Sequence, residues 1–379
     1  METLKILESG LLTTVQDLGR YGYQRYGIAV GGVMDAFSAK VANRLVGNKA
    51  EDAVLETTLK GVDIAFVADC VFAVTGGKCA CSLNGKPLSL WRAYRARTGD
   101  VLKMGICQEG VRNYLAFSGG IDVPLVLSSR STNLRANFGG FQGRDIKMHD
   151  VLRVFPRYLP DIPLLKFKDD LRPVYPKEVR IRVILGQQSD YFTEKGVKTF
   201  FADAYKITPD TDRIGMRLLG KKVAHKETAD IISDGITFGA IQIIGNGQPV
   251  VLMADRQTTG GYTKIGNVIT ADLHMLAQAL QGTKVRFVRV TVEEALEALG
   301  EFDRLISDDA SYEQIFELPE KPVDPPIYPG LIPVPAGVNG KKYVKKLYRT
   351  CALLRPVTAK YTLTIADQRF EVEVEKIPD

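Results

Sequence analysis

The sequence has few of the residues that most often mark metal or nucleophilic sites. Its three histidines, His149, His225 and His274, do not have the spacing of metal ligands. The five cysteines are an odd number, and most lie in apolar, strand-like runs, so we predict buried free thiols. No Ser/His/Asp triad, Cys/His pair or Walker-type phosphate loop is visible, which disfavours nucleophilic and metal catalysis and predicts no bound metal.

Long hydrophobic runs are also missing. No apolar stretch approaches the roughly 20 residues of a membrane span, and the N-terminus has no signal-peptide core. We therefore expect a cytoplasmic protein without a membrane partner. The net charge of +6 is spread over many acids and bases, which argues weakly for an anionic ligand and against nucleic acid. A length of 379 residues with 45% hydrophobic content allows two or three domains with real cores.

The first half of the chain has a β pattern with one clear helix. Asp35 is a candidate N-cap for a helix over Ala36–Val46, which Gly47 ends. Short apolar strands follow up to Phe117, separated by turn pairs such as Gly76-Gly77 and Asn84-Gly85. The predicted strands are Val62–Val67, Val71–Thr75, Cys79–Leu83, Val101–Met104, Tyr114–Phe117 and, later, Val151–Phe155. This pattern indicates a closed or nearly closed barrel, not a doubly wound sheet.

The second half repeats this mixture of strands and a few helices. Asn246-Gly247 predicts a hairpin between strands Ile241–Ile244 and Val250–Ala254. The other predicted elements are strands Val179–Leu185 and Val285–Thr291 and helices Asp190–Thr199, Ala271–Leu280 and Val292–Leu305. Four prolines between Tyr158 and Lys177 indicate an interdomain linker.

The C-terminal region differs in composition. Seven prolines from Pro319 to Pro335 predict an extended linker. Beyond it, Tyr361–Ile365 and Phe370–Lys376 alternate with a period of two and predict a hairpin. We therefore divide the chain into residues 1–157, 178–318 and 319–379, with a mainly β fold throughout.

One polar stretch directly after a predicted strand is the strongest candidate site. It combines an acid, bases, an amide, hydroxyls and paired glycines, namely Asp255, Arg256, Gln257, Thr258, Thr259, Gly260, Gly261, Tyr262 and Lys264. Asp255 would polarise or deprotonate a substrate, Arg256 and Lys264 would hold anionic oxygens, and the glycines would offer backbone amides. The alternative is a rigid turn in which Asp255 caps the next segment and pairs with Arg256.

An internal repeat suggests a second wall for this site. Gly22-Tyr23-x-x-x-Gly27 matches Gly261-Tyr262-x-x-x-Gly266, each after an aspartate and before a further aspartate and a helix. Asp17 and Arg20 are the counterparts in the first half, with a site-lining and a structural role both open. We expect two related barrels facing one cleft.

The irregular segment between Ser118 and Asp150 supplies further candidates. Arg130, Ser131 and Arg144 could bind a carboxylate, or could make hydrogen bonds within the loop. Asp212-Arg213 and Arg217 are most simply interpreted as a local ion pair.

Four separated motifs, in order, resemble the urea amidolyase-related (allophanate hydrolase subunit 2) family. The resemblance covers roughly Leu4 to Leu318. The motifs are TVQDLGRYGYQRYGI, GVMDAFSAKVANRLVGN, the SRST and GGFQGR segment, and SDGITFGAIQIIGNGQPVVLMADRQTTGGYTKIG. The resemblance implies two cyclophilin-like β-barrel domains in tandem. It also implies a sister subunit of the allophanate-hydrolase-subunit-1 (KipI) type.

The resemblance implies three functions. The first is a subunit of an ATP-dependent 5-oxoprolinase, which hydrolyses 5-oxo-L-proline to L-glutamate with its sister and a third subunit. The second is a carboxyltransferase subunit that moves a carboxyl group from carboxybiotin on a separate carrier to urea or a related amide. The third is a non-catalytic regulator that binds the KipI-type sister. Both enzymatic functions need a small amide or lactam substrate.

The cofactors follow from the same resemblance. The oxoprolinase function implies ATP, bound through the complex. The C-terminal segment KYTLTIADQRFEVEVEKI resembles the strands that precede biotin-carrier domains, but no Ala-Met-Lys-Met biotinylation site is present. We therefore expect no covalent biotin on this chain.

Overall fold

The structure, a computed structural model, describes residues 2–159, 162–315, 359–365 and 368–374. It divides the chain into two units, Met1–Phe316 and Glu317–Asp379. In the second unit, strands of the predicted C-terminal hairpin pair antiparallel from Ala359↔Val374 to Ile365↔Gln368, which confirms the hairpin. The predicted linker from Pro319 to Pro335 lies outside the described residues.

The described residues form mostly strands, with four α-helices. The strands of the first half are β1 Glu2–Glu8, β2 Leu12–Gln16, β3 Val54–Thr58, β4 Asp63–Phe66, β5 Cys70–Leu83, β6 Lys86–Pro87, β7 Arg92–Ala96, β8 Val101–Phe117, β9 Val151–Arg153 and β10 Leu164–Phe167. Those of the second half are β11 Glu178–Leu185, β12 Ala204–Ile207, β13 Gly215–Leu219, β14 Asp230–Gly235, β15 Ala240–Ile243, β16 Pro249–Leu252, β17 Thr259–Tyr262, β18 Lys264–Val268, β19 Lys284–Val290 and β20 Tyr312–Ile315, followed by β21 Ala359–Ile365 and β22 Gln368–Val374. The helices are α1 Ala36–Leu45, α2 Glu194–Ala202, α3 Leu273–Ala277 and α4 Val292–Ser307. The mainly β prediction is confirmed.

The first half is organised by an eleven-stranded sheet, in which the long strands β5 and β8 pair with each other. The sequence predicted a turn at Gly76-Gly77, and this was wrong, because β5 continues through both glycines. The register shifts there, and a Cβ on Gly76 would lie 2.3 Å from the carbonyl oxygen of Arg112. The glycines therefore form a bulge that lets two strands approach closely.

The second half contains a closed barrel of seven strands, in the order β11-β18-β15-β16-β13-β12-β19. Its β15–β16 hairpin pairs Ile241 with Val251 and confirms the Asn246-Gly247 prediction. Strands β14 and β17 form a separate two-stranded ribbon beside the barrel. The predicted helix over Asp190–Thr199 is shifted: a 3-10 turn covers Gln187–Tyr191 and α2 follows it.

The two halves share buried surface. A core cluster joins Phe37 of α1 and Phe167 of β10 to Phe302 of α4, and Met34 belongs to the core cluster of the second barrel. The segment predicted to be a linker is structured in part, because β10 pairs with β7 and also with β20. The apolar residues of β10 are buried or half-buried in the sheet. Removing them from water stabilises the strand relative to an exposed, proline-flanked linker.

Helix α1 confirms its predicted N-cap, since the Asp35 carboxylate accepts a hydrogen bond of 2.9 Å from the Ser38 amide. Cys70, Cys79, Cys81 and Cys107 are buried free thiols, as predicted, and Cys351 lies outside the described residues. Burial raises the pKa of the Cys70 thiol to about 12. In the described part of the chain, no helix is long and apolar enough to cross a bilayer.

Helix α4 begins with a complete capping box, which gives a first prediction. The Thr291 hydroxyl accepts from the Glu294 amide at 3.2 Å, and the Glu294 carboxylate accepts from the Thr291 amide at 2.7 Å. Thr291→Ala is expected to lower the free energy of unfolding by about 1 kcal/mol, measured by chemical denaturation. Glu297→Ala, at an exposed position of the same helix, is the control and should have little effect. Equal stability of wild type and Thr291→Ala would contradict the role of the cap.

Candidate functional site

A cavity of about 560 Å³ lies between the two halves of the first unit. One wall comes from the loop at Gly27–Ala29 and the turn at Asn133–Phe138 of the first half, and the other from segments that flank β13 and follow β16. The lining residues are Leu12, Gly27, Ile28, Ala29, Asn133, Leu134, Arg135, Ala136, Phe138, Asp212, Arg213, Ile214, Asp255 and Gln257. Its volume lies within the range of about 300–1,000 Å³ that is typical of small-molecule sites.

Backbone contacts fix the two walls against each other at the end of β16. The Gly31 amide donates to the Ala254 carbonyl at 3.2 Å. Gly31 has a φ of 66°, and a Cβ there would lie 3.6 Å from Oδ1 of Asp255. The glycine therefore provides a left-handed conformation next to the Asp255 carboxylate.

Arg213 connects the cavity wall to the buried interior. Its Nε and Nη2 donate to the two carboxylate oxygens of Asp255 at 2.8 and 3.0 Å. Its Nη1 pairs with Glu56 of the first half, and Nη2 also donates to the Gly32 carbonyl at 2.6 Å. Burial opposes its charge, but the attraction of Asp255 and Glu56 raises the pKa of Arg213 above its ordinary value. The bidentate pair orients the Asp255 carboxylate, which stays 20% exposed.

Glu56 is the buried anchor of this network. Its Oε2 accepts hydrogen bonds of 2.8 Å from the Met34 amide and from the Tyr114 hydroxyl, and Arg112 Nε lies 3.9 Å from Oε1. Burial and the charge of Glu56 raise the pKa of Tyr114 well above its usual range. Tyr114 therefore stays a neutral donor, and Glu56 has partners from both halves.

Gln278 makes a second polar connection between the halves. Its Oε1 accepts from the amides of Val111 and Arg112, both at 2.9 Å. Its Nε2 donates to the Asp35 carboxylate at 2.8 Å. Together with Arg213, it fixes the relative position of the cavity walls within the first unit.

The structure gives Asp17 and Arg20 structural contacts. The Asp17 carboxylate accepts from the Gly19 amide at 2.8 Å, from the Ser129 hydroxyl at 2.7 Å, and from the Arg130 amide and the Ser131 hydroxyl. The Arg20 side chain is fully buried and donates to backbone carbonyls in the loop at Val126 and Ser131. Burial lowers the pKa of Arg20, against the charges of Asp17 and Asp255. Arg20 thus lies near both aspartates without lining the cavity.

The other candidates in the first half are also bonded within the loop. The Arg130 guanidinium donates to the Val123 carbonyl at 3.1 Å and lies over the Phe155 ring. Arg144 forms a bidentate pair with Asp150 at 2.7 and 2.8 Å. These contacts therefore agree with hydrogen bonding within the loop, the alternative to carboxylate binding.

Two basic residues of the main candidate stretch also have structural contacts. The Arg256 side chain is buried and donates to the Met253 carbonyl at 3.3 Å, and its guanidinium lies over the Phe238 ring. The Lys264 ammonium donates to the Asp234 carboxylate and, at 2.9 Å, to the Gly235 carbonyl. Neither residue lines the cavity between the halves.

The paired glycines lie in a strand and not in a loop. Thr259–Tyr262 is strand β17, in which Gly260 is the register partner of Asp234. A Cβ on Gly260 would lie 2.6 Å from the terminal Cδ1 of Ile236, so a larger residue there would make the Ile236 side chain shift. Thr258 precedes this strand, and its carbonyl accepts from the Ile236 amide at 3.0 Å.

The glycines of the predicted repeat do not share a backbone conformation. Gly22 and Gly27 have φ values of 92° and 76° and flank a 3-10 turn, whereas Gly261 and Gly266 lie in β17 and β18. The repeat at these positions was therefore wrong: the spacing is shared, but the backbone conformation is not.

The structure brings few of the predicted residues to a cavity. Asp255 and Gln257 line the cavity between the halves. Gln257 also lines a second cavity of about 250 Å³, together with Tyr262. Sequence reasoning missed Glu56, Tyr114 and Arg135, and it interpreted Arg213 as part of a local pair. That interpretation was wrong: Asp212 instead accepts from the Ile214 and Gly215 amides, while Arg213 reaches Glu56 across 157 positions.

The cavity can act on a small polar molecule by acid–base and hydrogen-bonding chemistry. An oriented Asp255 carboxylate can accept an N–H, the Gln257 amide offers a donor, and apolar side chains such as Leu134 and Phe138 complete the lining. Within the described residues, no group of three or more histidine, cysteine, aspartate or glutamate side chains comes together as a metal site.

Known proteins resemble this chain over most of its length. Residues 26–289 match the family described as "Carboxyltransferase domain, subdomain A and B". The C subunit of 5-oxoprolinase from Escherichia coli (strain K12) is 37% identical over 302 residues, covering 78% of this chain and 94% of that protein. Its counterpart from Haemophilus influenzae, of the same name, is 35% identical over 292 residues, covering 77% of this chain and 93% of that protein. The crystal structure of the Kluyveromyces lactis urea carboxylase aligns with a TM-score of 0.77 at 32% identity, over 84% of this chain and 30% of that one.

Proposed function

This chain belongs to the carboxyltransferase domain family, subdomains A and B, and on that basis we propose that it is a subunit of an ATP-dependent 5-oxoprolinase. The observation that carries the proposal is the extent of the match: two proteins named as the C subunit of 5-oxoprolinase are covered over 93% and 94% of their length. The urea carboxylase structure is covered over 30% of its chain. The partners are a KipI-type sister subunit and a third subunit, and the location is cytoplasmic.

The substrate chemistry matches the cavity between the halves. 5-Oxo-L-proline has a lactam N–H, a lactam carbonyl and a carboxylate. The Asp255 carboxylate accepts the lactam N–H, and the Gln257 amide donates to the lactam carbonyl. Hydrolysis breaks the C–N bond of the ring and adds water, with ATP converted to ADP and phosphate by the complex.

Arg213 and Glu56 act on this site through Asp255. Because Arg213 donates to both oxygens of Asp255 at 2.8 and 3.0 Å, it fixes the orientation of the carboxylate at the cavity. Glu56 holds Arg213 from the buried side. Both are positioning residues in this proposal, since neither needs to touch the substrate.

ATP is assigned to a partner subunit. The charged side chains that line the cavity are the carboxylates of Asp212 and Asp255 and the guanidinium groups of Arg213 and Arg135. The two carboxylates balance the two arginines, so the lining has no net positive charge to attract a triphosphate. The cavity is better suited to the amide substrate.

The proposal is tested by reconstitution. The assembled complex is expected to release glutamate from 5-oxo-L-proline and ATP, and omission of this chain should lower the rate to background. Glutamate is measured by chromatography, with ADP as a second readout. Undiminished turnover without this chain would overturn the proposal.

A carboxyltransferase is the second candidate, favoured by the family description and by the urea carboxylase match. It takes a carboxyl group from carboxybiotin on a separate carrier and transfers it to urea or a related amide. Carboxylation of urea that needs a biotinylated carrier, and that avidin blocks, would favour it over hydrolysis.

A regulatory protein is the third candidate. It would bind the KipI-type sister subunit tightly without turnover and would tolerate Asp255→Ala. The oriented carboxylate at an open cavity supports the enzymatic proposals over this one, because a binding surface alone does not need it.

A further inference from the structure

Arg135 differs from the other arginines around the cavity. The Arg213 guanidinium is paired with Asp255 and Glu56, and those of Arg20 and Arg256 donate to backbone carbonyls. Arg135 lines the cavity and is exposed. Among the described residues, no carboxylate or carbonyl pairs with its guanidinium. Arg135 is therefore a cation at the cavity without a carboxylate or carbonyl partner among the described residues.

The backbone that carries Arg135 is held in place. Asn133 and Phe138 form an isolated bridge, with amide-to-carbonyl distances of 2.9 and 3.3 Å. The Asn133 side chain accepts from the Ala136 amide at 3.0 Å, and the Thr132 amide donates to the Val15 carbonyl at 2.9 Å. The tight turn thus presents Arg135 from a fixed position.

The charges at the cavity are separated between its two walls. Arg135 belongs to the first half, while Asp255, whose charge is shared with Arg213, belongs to the second. Apolar residues such as Ile28 and Phe138 also line the space. A molecule that is anionic at one end and has an N–H at the other complements both walls.

We propose that Arg135 binds the carboxylate of the substrate and makes the cavity selective for anionic amides over neutral ones. The guanidinium offers two parallel N–H donors, which match a carboxylate in a bidentate arrangement. The inference rests on the proposed function, whose substrate bears such a carboxylate. It goes further by assigning the selectivity to one residue, and it predicts poor binding of urea or of an unsubstituted lactam.

The test compares two lactams that differ by the carboxylate. Binding of 5-oxo-L-proline and of the neutral 2-pyrrolidinone to the assembled complex is measured by calorimetry. Wild type is expected to bind 5-oxo-L-proline at least about tenfold more tightly. Arg135→Ala should remove this preference, while Arg135→Lys, which keeps the charge, should retain part of it. Arg153→Ala, an exposed arginine on β9 outside the cavity, is the matched control and should bind like wild type.

The kinetic arm separates this inference from the proposed function. In the hydrolysis assay, Arg135→Ala should raise KM at least about tenfold and leave kcat within a few-fold. Hydrolysis by wild type with an unchanged KM in Arg135→Ala would overturn the inference and leave the function standing. An Arg135-dependent preference for the anionic lactam without hydrolysis would overturn the function and support the inference. Equal binding of both lactams by wild type, or binding of neither, would overturn the inference.

Discussion

Asp255→Asn is expected to lower kcat/KM for 5-oxo-L-proline hydrolysis by the assembled complex at least about a hundredfold. The carboxylate that Arg213 holds at 2.8 and 3.0 Å would become an amide, which accepts the lactam N–H weakly and cannot take up a proton. Loss of a positioned acid–base group typically costs about 10²–10⁴ in rate. The measurement is glutamate release under steady-state conditions.

The substitution preserves shape, so the loss should come from chemistry. Circular dichroism and binding of the partner subunits should stay like wild type. Asp303→Asn is the matched control: this exposed carboxylate on α4 faces Lys40 at 3.6 Å and lies outside the cavity, so its kcat/KM should not change. Turnover by Asp255→Asn within a few-fold of wild type would remove Asp255 from the reaction.

Glu56→Gln is expected to lower the free energy of unfolding of the full chain by about 3–5 kcal/mol. Glu56 is only 1% exposed and pairs with Arg213, which is 7% exposed. Removing the Glu56 charge leaves the buried Arg213 with Asp255 as its remaining carboxylate partner and takes away the carboxylate that lies 3.9 Å from the buried Arg112. Breaking a buried ionic network by removing one partner costs more than the interaction itself contributes. The Gln side chain keeps the volume, so no cavity term adds to the loss. Denaturation by urea, followed by tryptophan fluorescence and circular dichroism, measures the change.

The control is a surface pair in which a lysine takes the place of the arginine. Glu109 pairs with Lys78 at 2.9 Å, and both side chains are at least half exposed. Glu109→Gln should cost less than about 1 kcal/mol, because solvent screens exposed pairs. If Glu56→Gln and Glu109→Gln destabilise the chain equally, the buried network does not hold the halves together.

Local patterns predicted many of the elements correctly. The β15–β16 hairpin follows from Asn246-Gly247, and α1 follows from Asp35 and the apolar spacing after it, because turn chemistry and capping act over a few residues. Strand β11 and helix α4 were also found. The bulge at Gly76-Gly77 was not, since a glycine pair in a strand and one in a turn look alike until the partner strand β8 is known.

The candidate site was predicted in part. The stretch after β16 contains Asp255 and Gln257, which line the cavity, and functional-group density after a strand was enough to find them. The neighbouring Gly260 and Lys264 share that density, but Gly260 lies in the ribbon that β17 forms with β14, and Lys264, on β18, donates to Asp234 of β14. The face of a sheet on which a side chain lies depends on strand pairing, and the density of functional groups does not predict it.

Sequence alone therefore established a mainly β chain, its family resemblance and one wall of the cleft, because periodicity, turns and motifs depend on residues that are close together in the sequence. The tertiary structure established which charges meet. Arg213 reaches Glu56 across 157 positions, Gln278 reaches Asp35 across 243, and the turn with Arg135 lies at the same cavity as Asp255. Such pairs form only when the two halves pack together, since electrostatic contacts depend on distance in space and not on separation along the chain.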